Sequence, residues 1–562
     1  MRNMNRSFLI KKEFLWLVCF AILFVILHIP GISQPYHQDE YKWPIIVNPE
    51  LTDPGGIPHP PVGEFLYRQA GFLVGYDNFR IVPFVFGFLN LFLLFYLSKT
   101  IFNSKTTLWI TGLFTISFYS LLASLMVDTD GAIMPFFLLL SAIAYYKIRI
   151  QNFSLSKQSY RWLVLLVVSV VCGFLVKVSF FLVPASLALD FLMQKRVFSN
   201  KKLLIKYLLY GLGVAVFFVA ILFLAKTIFP FFDLSKAIKY WEHFANFDNR
   251  GWGQTFIQFI KAILYLSPLL VLAPFFADKE IIKDTRPFVL FILLGLIFYI
   301  LLFDFSIGAL DRYFQFLIIP LCIISGAVLS KYIEYKKDYR LIYPIIISVV
   351  IFFLQFFYHF VPSLHPKSEW INRIISLKWN FLYPFSGGSG PLGFYISFAF
   401  IGLFWISSIF LFVAFLKNKN LKGYVLLGLL VFGLFYNTVF IQEYLFGRIN
   451  GYAPALVRDA AEFIKNNPDI KKVVVYNDNG GDEIIKTGKY EKRLYTSPQF
   501  DVNQKIETIN SFSGHYLEVD IPPIDPKSVY RKYLDSCKAI YEKVNKKIYA
   551  KVYDCRFVED IK

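Results

Sequence analysis

Apolar runs of about 20 residues recur along this 562-residue chain, separated by short polar breaks, and each can cross the ~30 Å hydrocarbon core of a bilayer. They lie near 14–30, 79–98, 106–125, 131–147, 162–176, 178–193, 206–228, 257–276, 287–303, 314–331, 341–361, 391–416 and 422–440, which makes thirteen expected spans. Hydrocarbon offers no partner to a backbone N–H or C=O, so runs of this length are expected as helices. Composition agrees. The apolar set makes up 56% of the chain and charged residues only 17%, against about 25% in soluble proteins. The 64 Phe and 35 Tyr exclude a chain that stays unfolded. Arg2, Arg6, Lys11 and Lys12 precede the first run, which has no small-residue cleavage site and is expected to remain as an uncleaved helix.

A net charge of +19 in so apolar a chain fits nucleic-acid binding, a membrane surface, or the cytoplasmic rims of a polytopic protein. Position decides among them. The stretch 162–192 is long for one span and short for two, with Lys177 in its middle. Taken as two spans, the loops on the N-terminal side (1–13, 99–105, 147–161, 193–206, 277–286, 331–340, 417–422) hold 25 Lys+Arg in 75 residues. The opposite loops hold 10 in 130. Taken as one span, every later loop changes sides and the asymmetry collapses. Two spans are therefore predicted, with Lys177 at the outer turn, the N-terminus cytoplasmic and the protein in the plasma membrane. Nucleic acid is not an expected partner.

Thirteen spans that start inside end outside, so the chain divides into a membrane domain, 1–440, and an extracytoplasmic domain, 441–562. The tail holds 20 Lys+Arg against 18 Asp+Glu, the balance of a soluble domain. Within it LVRDAAEFIKNN reads as an amphipathic helix, and KKVVVY, HYLEVDIPP and KKIYAKVYDC read as strands, which predicts a small α/β fold. Cys537 and Cys555 lie where a disulfide is permitted, and pairing is left open. DNGGDE at 478–483 lacks the spacing of a phosphate loop and reads as a turn after a strand.

The first outer loop, 31–78, is the longest inter-helix connection and is rich in aromatic and apolar residues, which favours an ordered, functional loop. Asp39 and Glu40 fall just beyond the first span, where a carboxylate against apolar walls can serve as a general base. The alternative is a pair of solvated interfacial acids. Pro60 and Pro61 stiffen the backbone after His59, which either holds the loop or faces substrate. Asp128 and Asp130 stand between two apolar runs, and charges so close to hydrocarbon need a partner or a role. Lys177 in FLVKVSFF and Arg312 in GALDRYFQF suit a lipid phosphate, Arg as a bidentate fork and Lys as a point charge. Each could instead snorkel or pair with an acid, Asp311 or Asp304 for Arg312. By the predicted topology all these residues share the outer side.

QDE, HPPVGEFL, FRIVPFVFGFLNL, VDTDGAIMPFF, GFLVKVSF and DRYFQFLIIP occur in that order. In these pieces the chain resembles the polytopic GT-C glycosyltransferases of glycosyltransferase family 39, the protein O-mannosyltransferase and aminoarabinose-transferase group. The resemblance is strongest over 14–190 and returns at 304–330. It implies a GT-C membrane domain of about thirteen helices and an inverting transfer from a polyprenyl-phosphate-linked sugar. The acceptor would be a glycan, lipid or protein at the outer face, in cell-envelope assembly or protein glycosylation. It implies Asp39 as the base with Glu40 as alternative, Asp130 or Asp128 orienting acceptor or sugar, and Lys177 and Arg312, with Tyr313 of the same motif, at the leaving phosphate. Glu64 stands where eukaryotic mannosyltransferases commonly carry Lys, which argues against mannose. The resemblance implies no certain cofactor. A divalent cation is an open alternative, with Asp39, Glu40 and Asp130 as its ligands. The competing function is a transporter or lipid flippase, for which internal repeats and mid-membrane charge are expected.

Overall fold

The computed structural model describes residues 2–48, 58–154, 156–244, 250–302, 310–333, 339–357, 360–384, 392–477, 479–494 and 512–558. It is a helical membrane domain carrying a small sheet domain at its C-terminal end. Among the described residues nine helices are long and apolar enough to cross a bilayer, or ten if one bent pair counts as a single span. Thirteen helices of full spanning length are not found among the described residues. The remaining expected runs correspond to shorter or broken helices, and the breaks have identifiable causes.

The run expected at 106–125 is two helices, Ser104–Ile116 and Phe118–Ala123. Thr111 and Thr115 turn their hydroxyls back onto the carbonyls four residues earlier at 2.8 Å, which competes with the helix and bends it. At the break, the amide of Phe118 donates to Asn437 Oδ1 at 3.2 Å. The run expected at 257–276 bends by 106° between Trp252–Tyr265 and Pro268–Phe276, where Pro268 has no N–H to continue the ladder. Of the carbonyls this frees, Leu264 O accepts from Trp405 Nε1 at 2.7 Å and from Tyr436 OH at 2.5 Å. The 162–192 stretch does divide at Lys177, into Lys157–Val176, a 3₁₀ turn Val178–Phe181 and Leu182–Gln194.

Loops from the N-terminal side meet one another at one face. Lys99 pairs with Glu13 at 2.5 Å, Lys331 with Glu280 at 2.5 Å and Asp278 at 2.8 Å, and Lys422 donates to Phe276 O at 2.9 Å. The sheet domain sits at the other face. Its five strands, β1 Val473–Tyr476, β2 Tyr490–Leu494, β3 His515–Val519, β4 Lys538–Asn545 and β5 Ile548–Asp554, lie in the order β2-β1-β3-β5-β4. β1 runs parallel to β2 and β3, while β5 is antiparallel to β3 and β4. The amphipathic helix Ala453–Asn466 buries Leu456, Val457, Ala460 and Ile464 against one side of this sheet. Cys537 and Cys555 are joined as a disulfide at the end of β5. After β1, Gly480 adopts φ +88°, a conformation that favours glycine, and the short helix Gly481–Lys486 begins. Asp478 lies outside the described residues.

The sheet domain is held to the first outer loop by His37, whose Nε2 lies 3.2 Å from Asn479 Oδ1, and by Lys486, 3.3 Å from Asp77. Arg458 also donates to Ser33 O. The loop-charge bias predicts that a cysteine at Val544, 62% exposed in the β4–β5 hairpin, reacts with an impermeant maleimide in intact cells. A cysteine at exposed Asn420 should react only after permeabilisation. The reverse pattern would invert the sidedness.

Candidate active site

Asp39 and Glu40 occupy one 3₁₀ turn, Gln38–Tyr41, yet point to opposite fates. Glu40 is 1% exposed and faces Arg80, which stands just before the Ile81–Ile101 helix. All five N–H bonds of that guanidinium are used. Nη1 and Nη2 reach Glu40 Oε1 and Oε2 at 2.8 and 2.7 Å, Nη1 also reaches Leu125 O at 2.7 Å, Nη2 Pro35 O at 2.7 Å, and Nε Gln34 O at 3.0 Å. Glu40 further accepts from the amides of His37 and Val127, both at 3.0 Å. Its lone pairs are committed to fixing the loop against the Asp128–Asp130 turn.

Asp39 turns the other way, is 34% exposed, and pairs with Lys42 and with Arg312 Nη1 at 3.3 Å. Burial pushes its pKa up, but Lys42 and Arg312 push harder the other way, with Arg493 of β2 adding to them, and the net is below the usual carboxylate range. Arg312 also lies 3.7 Å from Asp128 Oδ2 and donates to Tyr313 OH at 2.9 Å. Lys177, at the turn between Val176 and the 3₁₀ turn, pairs with Asp130 and sits 4.8 Å from the centroid of the Tyr313 ring, while Arg312 lies 4.7 Å from it. Tyr313 thus presents its ring to both cations. His59 packs edge-on against Tyr240 at 5.6 Å. Burial, reinforced by Lys177 and Arg312, pushes the His59 imidazole down to about 3, so the ring is neutral at physiological pH.

Asp39, His59, Asp128, Asp130, Lys177, Arg312 and Tyr313, far apart in sequence, therefore come together at the face that carries the sheet domain. Glu40 belongs to the scaffold beneath them. The residues named for a possible divalent cation, Asp39, Glu40 and Asp130, do not fit one. Glu40 is turned to Arg80 and Asp130 to Lys177, and among the described residues no three His, Cys, Asp or Glu side chains cluster as metal ligands. No step is derived through a metal. Asp311, a potential partner of Arg312, instead pairs at 3.3 Å with Lys261, both fully buried, and Asp304 lies outside the described residues. Lys261 was missed, although a lone Lys in an apolar run was the same signal that marked Lys177. Tyr240, on the Leu234–Phe244 helix, carried no motif. Glu64 pairs with Arg68 at 2.6 Å.

Residues 58–223 match the family described as dolichyl-phosphate-mannose-protein mannosyltransferase. No curated protein sequence matches the chain. Crystal structures of ArnT from Cupriavidus metallidurans superpose on 97% of this chain and 99% of theirs at 14% identity, with TM-scores of 0.52 in the apo state and 0.53 bound to undecaprenyl phosphate. The oligosaccharyltransferase AglB from Archaeoglobus fulgidus, in complex with an inhibitory peptide and a dolichol-phosphate, overlaps more loosely, at 12% identity and TM-score 0.44 over 85% of this chain and 64% of that one. The chain has the GT-C fold of membrane glycosyltransferases.

Two consequences are measurable. Arg80→Met leaves the Glu40 carboxylate buried without its cation, and breaking a pair this deep costs about 3–5 kcal/mol. Thermal unfolding in detergent should show a large loss, partly recovered in the Arg80→Met/Glu40→Gln double variant. His59 has its pKa lowered from 6.5 to about 3, so the unfolded chain binds the proton first and stability falls as pH drops below about 6.5. His59→Gln should flatten that slope between pH 6.5 and 4.

Proposed function

We propose that the protein is an inverting glycosyltransferase that moves a sugar from a polyprenyl-phosphate donor to an acceptor hydroxyl or amine at the extracytoplasmic face of the plasma membrane. The observation that carries this reading is the ion-pair chain Lys177–Asp130 and Asp128–Arg312–Asp39 at the face that carries the sheet domain. Two cations held there by displaceable carboxylates offer a phosphate a place beside lipid. ArnT, similar over nearly the whole chain, has been seen with undecaprenyl phosphate bound, which supports the same class of lipid carrier here. The small sheet domain roofs the site through Asn479 and Lys486.

In the transfer, the acceptor heteroatom attacks the anomeric carbon opposite the phosphate. The bond from that carbon to the phosphate oxygen breaks with its electron pair leaving on the phosphate, and the acceptor's proton passes to Asp39. Lys177 and Arg312 stabilise the negative charge that grows on the leaving oxygen, a contribution of roughly 3–4 kcal/mol per donor in comparable sites. The same cations tune the base. With the site empty of donor, Arg312 holds Asp39 in its weakly basic state; a phosphate that draws Arg312 away raises the basicity of Asp39 when it is needed. Asp128 and Asp130, released from their cations by the phosphate, face sugar or acceptor. Glu40 acts through Arg80 as a positioning residue.

Asp39→Asn should lose at least about 100-fold in transfer from a polyprenyl-phosphate sugar, with a Tm lowered only by the loss of its partly exposed pairs to Lys42 and Arg312. Because the Asp39 pKa lies below the usual range, the donor-free enzyme keeps its base ionised down to about pH 4, and kcat/KM should fall only below that. Full activity in Asp39→Asn would overturn the mechanism, and mass spectrometry of surface glycans with and without the protein would identify sugar and acceptor.

A further inference from the structure

Asp130 also lines a space of about 30 Å³ between the Ile81–Ile101 helix, the broken helix and the segment that follows Arg312. Its apolar lining includes Leu138, Phe180, Val183 and Phe291. Besides Asp130, its polar lining includes Asn90, Ser120 and Gln315, each 1% exposed. Asn90 Oδ1, Ser120 Oγ and Gln315 Oε1 are buried without a hydrogen-bond partner. The amide orientation of Asn90 is set, because its Nδ2 donates to Ala132 O at 2.8 Å and leaves the oxygen for the cavity. Ser124, also in the lining, is already engaged with Ser120 O at 2.8 Å. Gln315 reaches the space over Gly131, where an added Cβ would stand 2.7 Å from Gln315 Oε1 and 2.6 Å from Ala123 O.

Three unpaired polar atoms around one small cavity carry a specific complement: one hydroxyl that can donate and two carbonyl oxygens that can only accept. Water matches it, accepting from Ser120 and donating to Asn90 and Gln315. A cavity of this volume has room for roughly one to three waters and for no sugar or lipid tail. Left dry, three orphaned polar atoms would each carry a desolvation penalty.

We propose that this cavity is an internal hydration site, and that Gln315 is a positioning residue acting through the bound water. The water joins three pieces of chain: the helix that starts behind Arg80, the Phe118–Ala123 helix that leads into Asp128 and Asp130, and the segment in which Arg312 and Tyr313 precede Gln315. It thereby holds Arg312 in register with Asp130. The link to catalysis rests on the function proposed above; the hydration itself does not.

The sign of a stability change tests it. Gln315→Met is nearly isosteric and removes the acceptor. In a wet cavity it strands a water, and the full-length protein in detergent should lose at least about 2 °C in Tm. In a dry cavity it removes an unsatisfied oxygen, so Tm stays level or rises, and either result overturns the proposal. Ser120→Ala should also lower Tm, and the Gln315→Met/Ser120→Ala loss should be smaller than the sum of the two because both act on the same water. Strict additivity would likewise overturn it. For the positioning role, Gln315→Met should lower kcat for a polyprenyl-phosphate sugar about tenfold with little change in KM, and Gln315→Glu, which keeps an oxygen in place, should recover most of it. A normal kcat beside a lowered, non-additive Tm would leave the water and remove its catalytic link. Asp39→Asn, inactive but leaving the Gln315→Met/Ser120→Ala coupling in Tm unchanged, separates failure of the transfer mechanism from failure of the hydration site.

Discussion

The Arg80–Glu40 pair is the constraint on which the arrangement of the site depends. An ion pair this deep carries a desolvation penalty of several kcal/mol per ion, offset only when every donor and lone pair finds a partner. Here all five guanidinium N–H bonds and both carboxylate oxygens do. Three segments are joined in consequence: the first outer loop through Gln34, Pro35 and Glu40, the second apolar helix through Arg80 itself, and the acidic turn through Leu125 O and Val127 N. The loop that bears Asp39 and the turn that bears Asp128 and Asp130 are thereby held at a fixed separation, and Arg312 can span both.

Above that foundation the charges are balanced and mutually replaceable. Lys177, Arg312 and Lys42 stand against Asp130, Asp128 and Asp39. Six charges crowded beside hydrocarbon would be costly if unpaired, which accounts for the resting pairs. Those pairs differ from Arg80–Glu40 at the Asp39 end, where Asp39 is 34% exposed against 1% for Glu40. A phosphate presents acceptor oxygens like those of the carboxylates in a more compact group, and its charge grows from one on the donor diester toward two as the lipid phosphate leaves, so exchange of carboxylates for phosphate keeps the cations partnered. On the proposed function, such an exchange would keep the cations of the site partnered throughout.

Much of this was legible in the residues. Lys+Arg bias divided 162–192 correctly at Lys177, because positive charge in short loops records orientation whatever the helices do next. The helix at Ala453–Asn466 and strands β1, β3 and β5 followed from their periodicity. Helix length was less legible. Hydropathy sums over a window and does not register hydroxyls that bond backward or a Pro at a bend, so 106–125 and 257–276 looked continuous. The opposite fates of Asp39 and Glu40 were also hidden, since neighbours on a tight turn diverge and only Arg80, 40 residues on, decides which one is buried. Lys261 went unread because its partner Asp311 lies 50 residues away, on a segment whose approach depends on the bent helix.

The sheet domain extends the same logic outward. Asn479 is fixed by donating from Nδ2 to Val519 O and Ile521 O, at 3.3 and 2.5 Å, which leaves its oxygen to meet His37. His37 begins the turn whose fourth residue is Glu40. The 3₁₀ turn that presents Asp39 is therefore gripped from below by Arg80 and from above by the sheet domain, and it has little freedom to rotate. A general base must sit within hydrogen-bond reach of the proton it takes, and a base on a loop is only as well placed as that loop. Fixing the turn at both ends gives a loop residue the rigidity of one on a helix, and that gives the sheet domain a mechanical reason to be attached to the membrane domain at this face.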